Sequence, residues 1–272
     1  MRAARPRVEG DWLLIPAPAD HRPFRLFCFP HAGGDATAFM LLGRAMAPAA
    51  EVWALRLPAR GGRRAQPMPA RFDLLVRTVT AELGPHLDGR FGFYGQSFGA
   101  LLAYEVARAL PPGRRPEVVI AASAEPPSAW ADGKPVDRDP DELLRLAGLN
   151  DLVGADPELR ELALTTIRAD LEVRGSYRYR PGPPIEPDLH AVVGAADPML
   201  TAPQLAGWAA LTAGSFGLSV VPGGHLLATT QRPGPVSVLT SILGLGPDFS
   251  SPDFSSPDFS SGERRWPAPA LT

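Results

Sequence analysis

The sequence predicts an α/β fold, with a mostly parallel sheet covered by helices on both faces. Three observations carry that prediction. Short apolar runs of strand length alternate with segments of helical period. Those runs are continuously apolar, as strands buried on both faces are. And Gly95-Gln96-Ser97-Phe98-Gly99, a G-x-S-x-G match, stands between a strand-like run and a helical segment free of Gly and Pro.

In order, residues 11–15 read as a first edge strand and 25–29 (Arg-Leu-Phe-Cys-Phe) as a buried one. Pro30-His31-Ala32-Gly33-Gly34 forms a Gly-rich loop. Asp35 or Thr37 caps a helix with Phe39, Leu42 and Met46 on one side. A strand over 51–57 stops at Pro58, before a basic loop with Arg60, Arg63 and Arg64. A helix spans 72–87, with Phe72, Leu75, Val79 and Leu83 three or four residues apart. Strand 91–95, the Ser97 turn, helix 98–110 and strand 117–123 follow.

The alternation then breaks. Residues 125–180 hold no convincing strand but two amphipathic stretches, 141–149 and 157–174. The second is expected to present Leu159, Leu162, Ile167 and Leu171 along one side. A helical insertion here predicts a lid over the active-site edge. The sheet resumes with strand 188–194, helix 203–212, strand 216–221 and helix 233–243. Residues 1–246 thus form one domain, with the lid at about 125–180. The tail 247–272 repeats Pro-Asp-Phe-Ser-Ser three times and is expected to be disordered. Its spaced Phe residues are either docking points or the product of a neutral repeat expansion.

Composition narrows the function classes. The 272 residues are 45% hydrophobic with a net charge of −2 and no basic block, which argues against nucleic acid or an anionic membrane as partner. The single cysteine, Cys28, excludes an intrachain disulfide and a cysteine zinc site. No apolar run approaches membrane-spanning length, no h-region follows the basic N-terminus, and the protein is expected in the cytoplasm.

The chemistry expected at Ser97 is nucleophilic. A serine hydroxyl needs a base. Of five histidines, His225 follows the C-terminal end of a late strand, behind Gly223-Gly224, where loops surround the active site of a parallel sheet. The orienting acid should lie between serine and histidine in the chain. Asp197 follows the strand 188–194 and is the choice, an Asx turn before Pro198 being the plainer reading. The backbone amides of Phe98 and Ala32 are the expected oxyanion donors. No metal or other cofactor is called for, and no phosphate-binding glycine pattern is present.

At this point the residues resemble a family. Phe27-Cys28-Phe29-Pro30-His31-Ala32-Gly33-Gly34, Leu57-Pro58-Ala59-Arg60-Gly61, Tyr94-Gly95-Gln96-Ser97-Phe98-Gly99-Ala100, Arg168-Ala169-Asp170-Leu171, Tyr177-Arg178-Tyr179, Asp197-Pro198 and Gly223-Gly224-His225 are similar to motifs of the type II thioesterases of nonribosomal peptide and polyketide synthesis, within the α/β-hydrolase superfamily. The resemblance covers about residues 12–244. It implies hydrolysis of acyl groups from the phosphopantetheine thiol of carrier proteins, which clears stalled synthases. It also implies a helical lid over an acyl pocket, and no cofactor beyond the phosphopantetheine that the substrate carries. A monomer is expected. His31, Gln96 and Arg60 are candidate substrate-binding residues, and the Arg60–Arg64 loop is a candidate patch for an acidic carrier. The chain departs from the family at Gln96 (usually His), Phe98 (usually Met), Ala59 (usually Gly), and Leu226 and Leu227 (usually aromatic). Phe98, being bulkier, would narrow the acyl pocket. The rival readings are a small-ester hydrolase with the same triad and a non-catalytic carrier-binding protein.

Overall fold

The apolar run Arg25–Phe29 (β3) is buried at every residue, and so are Glu51–Leu55 (β4), Phe91–Gln96 (β5) and Val118–Ala122 (β6). With Asp188–Gly194 (β7) and Phe216–Val221 (β8) they pair in parallel. Two short strands, Arg7–Glu9 (β1) and Leu13–Ile15 (β2), join antiparallel at one edge and complete an eight-stranded sheet in the order β1-β2-β4-β3-β5-β6-β7-β8. The fold is the α/β-hydrolase fold. The computed structural model describes residues 5–19, 24–47, 49–130, 139–146, 154, 156–228 and 233–245. The tail repeat falls outside them, as do residues 147–149 of the first amphipathic stretch.

Side chains of the central strands alternate between two cores, as a pleat of period two requires. Phe27, Phe29, Phe91 and Phe93 enter one core with helices Phe72–Leu83 (α2) and Phe98–Ala109 (α3). Leu26, Cys28, Tyr94, Ile120 and Ala122 enter the other with helices Met40–Met46 (α1) and Pro233–Ile242. Edge-on contacts of Phe27 with Phe91 (5.9 Å) and Phe93 (6.0 Å) fill the first.

Strands 188–194 and 216–221 coincide with expectation; β1 is an additional strand. Between β6 and β7 the described residues hold helices but no strand, notably Pro140–Leu146 (α4) and Pro157–Gly175 (α5). One detail of α5 differs. Leu159 and Leu162 are 50% and 42% exposed, while Leu164, Ile167, Asp170 and Val173 are buried. The inward face contains a charged residue, so an apolar stripe alone selects a different face.

Candidate active site

Ser97 stands between β5 and α3 at φ 53°, ψ −118°, a conformation costly for a residue with a Cβ. The turn is over-determined. The Ser97 amide donates to Ala122 O at 2.8 Å, and the Ala100 amide donates to Ser97 O at 2.9 Å. A Cβ at Gly99 would lie 2.1 Å from Phe29 O, and one at Gly95 would lie 2.3 Å from Gly99 O. The two glycines are therefore required by backbone approach. Ser97 is half-buried, and Phe98 opens α3 with its amide among the unpaired N–H groups of a helix start.

β7 and β8 deliver the other two groups. Beyond their ends, Ala195 N donates to Val221 O (2.8 Å) and Ala196 N to Gly223 O (2.9 Å). A Cβ at Gly194 would fall 2.2 Å from Gly224 O. The two loops lie backbone to backbone, which brings Asp197 Oδ2 to 2.9 Å from His225 Nδ1. Their side chains are 0% and 5% exposed. Asp197 Oδ1 accepts from Met199 N at 2.8 Å, so the expected Asx turn is present too, on the other oxygen. Burial alone would raise the Asp197 carboxyl; the hydrogen bond and charge of His225, with the Met199 amide, outweigh it and hold the carboxyl below its ordinary range. With Nδ1–H donated to Asp197, Nε2 is the nitrogen that keeps its lone pair. Among the described residues no hydrogen bond joins the Ser97 hydroxyl to His225; the link is through Gln96, whose Nε2 donates to His225 O at 2.5 Å.

The early loop turns tightly, with Gly34 N donating to His31 O at 2.8 Å. Ala32, between them, is half-buried. His31 is buried; burial first, then the charges of His225 and Arg60, push it down to about 3, so it is neutral.

Two candidate substrate contacts are corrected. Gln96 is 1% exposed, and its amide is consumed by the protein: Oε1 accepts from Tyr94 OH (3.0 Å) and Ala228 N (3.2 Å). Arg60 is 4% exposed and paired with Asp170, Nη2 to Oδ1 at 2.5 Å and Nη1 to Oδ2 at 2.7 Å. The patch is corrected with it, because Arg63 is also buried, its guanidinium 3.7 Å above the Trp12 ring. Only Arg64 of the three is exposed. The expectation for Phe98 is also refined. Its ring is buried and lies edge-on to Phe72 at 5.9 Å, within the core between α2 and α3. Sequence reasoning gave Asp170 no role, although it lies in one of the quoted motifs.

With this geometry in hand, a family model described as a thioesterase domain matches residues 24–243. The chain belongs to the thioesterase-domain family. Its members are serine hydrolases that act on thioesters, and this chain is one of them. It is 32% identical over 230 residues to thioesterase PikA5 of Streptomyces venezuelae, covering 82% of each chain. The type II thioesterase BorB from the borrelidin biosynthetic cluster superposes with a TM-score of 0.76 at 30% identity, over 87% of this chain and 99% of BorB. The RedJ thioesterase of the prodiginine pathway in Streptomyces coelicolor gives 0.72 at 31% identity, over 84% and 94%. The resemblance read from the motifs leads to the same family. No helix of the described residues is long and apolar enough to cross a membrane, and no group of three or more His, Cys, Asp or Glu among them could hold a metal.

Proposed function

We propose that this thioesterase removes acyl groups from the phosphopantetheine arm of carrier domains in a polyketide or nonribosomal peptide synthase, with Ser97 as nucleophile, His225 as base and Asp197 as the group that orients His225. The observation that carries the reading is the buried 2.9 Å bond between His225 and Asp197, delivered to the end of the sheet where Ser97 is held at positive φ. Nε2 of His225 takes the Ser97 proton as Oγ adds to the thioester carbonyl. The oxyanion rests on the Phe98 and Ala32 amides. The C–S bond then breaks, the thiol leaves with a proton, and Ser97 is acylated. Water, deprotonated by His225, adds to that ester; the acid leaves and Oγ is reprotonated. A thiolate is a good leaving group, so protonating it matters less than it does for an amide.

The pathway and the carrier partner are drawn from the relatives: BorB comes from the borrelidin biosynthetic cluster, RedJ from the prodiginine pathway and YbtT from the yersiniabactin NRPS/PKS pathway. α4 and α5 would serve as the lid. All three reacting groups come from one chain, which suits a monomer, and the cytoplasm is where carrier domains of a synthase would be met.

The test is intact-mass observation of acyl loss from a panel of loaded carrier proteins, beside the matching free esters. Carrier thioesters should be cleared faster, and Ser97→Ala should lose on the order of a thousandfold or more. Preference for free esters would favour a small-ester hydrolase. Failure of a fluorophosphonate to label Ser97 would favour a non-catalytic carrier binder.

A further inference from the structure

Asp170, whose side chain is fully buried, takes no part in the chemistry above, yet it touches the loop that supplies Ala32. Its Oδ2 accepts from Gly33 N at 2.7 Å. Arg60 completes the arrangement. Besides both Asp170 oxygens, its Nη1 donates to Gly34 O at 3.0 Å and its Nε to Pro58 O at 3.0 Å. The peptide joining Ala32 to Gly33 and the one joining Gly34 to Asp35 are therefore held by one ion pair, through an N–H in the first and a carbonyl in the second. Neither charge is stranded, because the remaining bonds go to backbone, apart from a contact of Arg60 Nη2 with Met68 Sδ.

Asp170 is carried by α5, and α5 packs on the same loop. Gly33 has φ +77°, and a Cβ there would lie 2.4 Å from Cγ1 of Ile167, one turn before Asp170. Nearer its start, α5 is joined to α4 by the Arg160–Asp141 ion pair. Three segments thus meet at Gly33-Gly34: the loop after β3, the loop after β4, and the long helix of the insertion.

We propose that Arg60 and Asp170 are positioning residues for hydrolysis: they set the Ala32 amide through Gly33 and Gly34, and they make its position follow the seating of α5. The inference rests on the reading of Ala32 as an oxyanion donor. An oxyanion donor must be in place before charge develops, and a displacement of well under an ångström weakens it. A clamp of two charge-assisted bonds plus two backbone bonds suits that need. It also ties completion of the oxyanion hole to the docking of the insertion over the sheet.

The test uses the full chain, at a temperature well below unfolding, with an acyl thioester of N-acetylcysteamine as substrate. The double variant Arg60→Met/Asp170→Leu removes both charges together, so no lone charge is buried. It should fold, with kcat lowered about 100-fold and KM within about threefold of the parent. Affinity for a trifluoromethyl ketone, which forms a tetrahedral oxyanion on Ser97, should fall by the same factor. A purely structural pair would lower Tm and leave both quantities alone in the folded protein. Should the double variant not fold, Asp170→Asn carries the test, with parallel losses of about 10-fold expected. Parental kcat in a folded variant, or a kcat loss with unchanged ketone affinity, overturns the proposal. Those results leave the triad standing; an active Ser97→Ala would instead remove the proposed function itself.

Discussion

Gln96 binds the backbone of His225: its Nε2 donates to His225 O at 2.5 Å while its Oε1 accepts from Ala228 N at 3.2 Å. One buried amide thus pins the histidine loop at two points, three residues apart, to the end of the strand that precedes Ser97. Tyr94 OH, 3.0 Å from the same Oε1, fixes which way the amide faces. The Gln96 side chain is therefore spent on the loop that carries His225.

Gln96→Leu should lower kcat while leaving KM nearly unchanged. It strands a buried carbonyl and a buried N–H, each costing roughly 1–3 kcal/mol, and frees the His225 loop to shift. A kcat loss of about 10- to 100-fold is expected, with a fall in Tm. Gln96→His restores a donor and should recover part of the rate. Steady-state kinetics on a carrier thioester read the outcome, and parental kcat in Gln96→Leu would remove the role.

Gly99→Ala is expected to be among the most damaging single changes. The added Cβ would meet Phe29 O at 2.1 Å, and that oxygen belongs to the backbone of a central strand. Neither β3 nor α3 can retreat without breaking its own pairing. A loss of several kcal/mol follows, by the overpacking mechanism. Denaturant unfolding and fluorophosphonate labelling should fall together; a labelled, parent-like variant would contradict the contact.

Much of this site was legible from the sequence for a physical reason. Strands buried on both faces leave continuous apolar runs, and a strand-to-helix turn at Ser97 demands small flanking residues. His225 and Asp197 follow β8 and β7 directly, so chain order alone placed them. Gln96, Arg60 and Asp170 were not legible in the same way. A buried polar side chain looks like a surface one until its partners are known, and theirs lie 129 and 110 residues away along the chain. The same ambiguity hid the inward face of α5. β1 was missed because a three-residue edge strand with exposed side chains has almost no apolar signal.

Two histidines should make the fold acid-sensitive. Burial, aided by His225 and Arg60, pushes His31 down to about 3, and burial pushes His190 down to about 4, from an ordinary value of 6.5. Each stays neutral when folded and takes up a proton on unfolding. The unfolded state binds more protons throughout that window, so stability is full above about pH 6.5 and falls as pH drops toward 3–4. Each contributes a slope of up to about 1.4 kcal/mol per pH unit. Tm should decline between pH 7.5 and 5, and less steeply in His190→Gln, which removes the titrating ring. An identical slope in that variant would exclude His190 as a source.

Arg63 and Arg64 are adjacent but should behave oppositely. Arg63 stacks on Trp12, and its Nη1 donates to Arg56 O at 2.6 Å and its Nε to Gln66 Oε1 at 2.7 Å. Arg63→Ala should cost about 1–3 kcal/mol of stability with kcat/KM on carriers unchanged in the folded protein. Arg64 is exposed, and Arg64→Ala should stay within about 0.5 kcal/mol of the parent. Denaturation midpoints decide both. A stable Arg63→Ala that discriminates against carriers at low salt would revive the patch.

Ala59 stands in the left-handed region at φ 64°, where the family usually has Gly. Its amide is tied to Gln66 O at 2.9 Å, so the loop cannot relax out of that conformation. A Cβ there costs about 1–2 kcal/mol. Gly would remove that cost but add about 0.4–1 kcal/mol of unfolded-state entropy. Relief of strain is the larger effect, so Ala59→Gly should stabilise the protein by about 0.5–1 kcal/mol. Activity should be unchanged, since Arg60 keeps its bonds. A raised denaturation midpoint at constant slope is the expected result; a lowered one would mean that the φ at 59 is not held in solution.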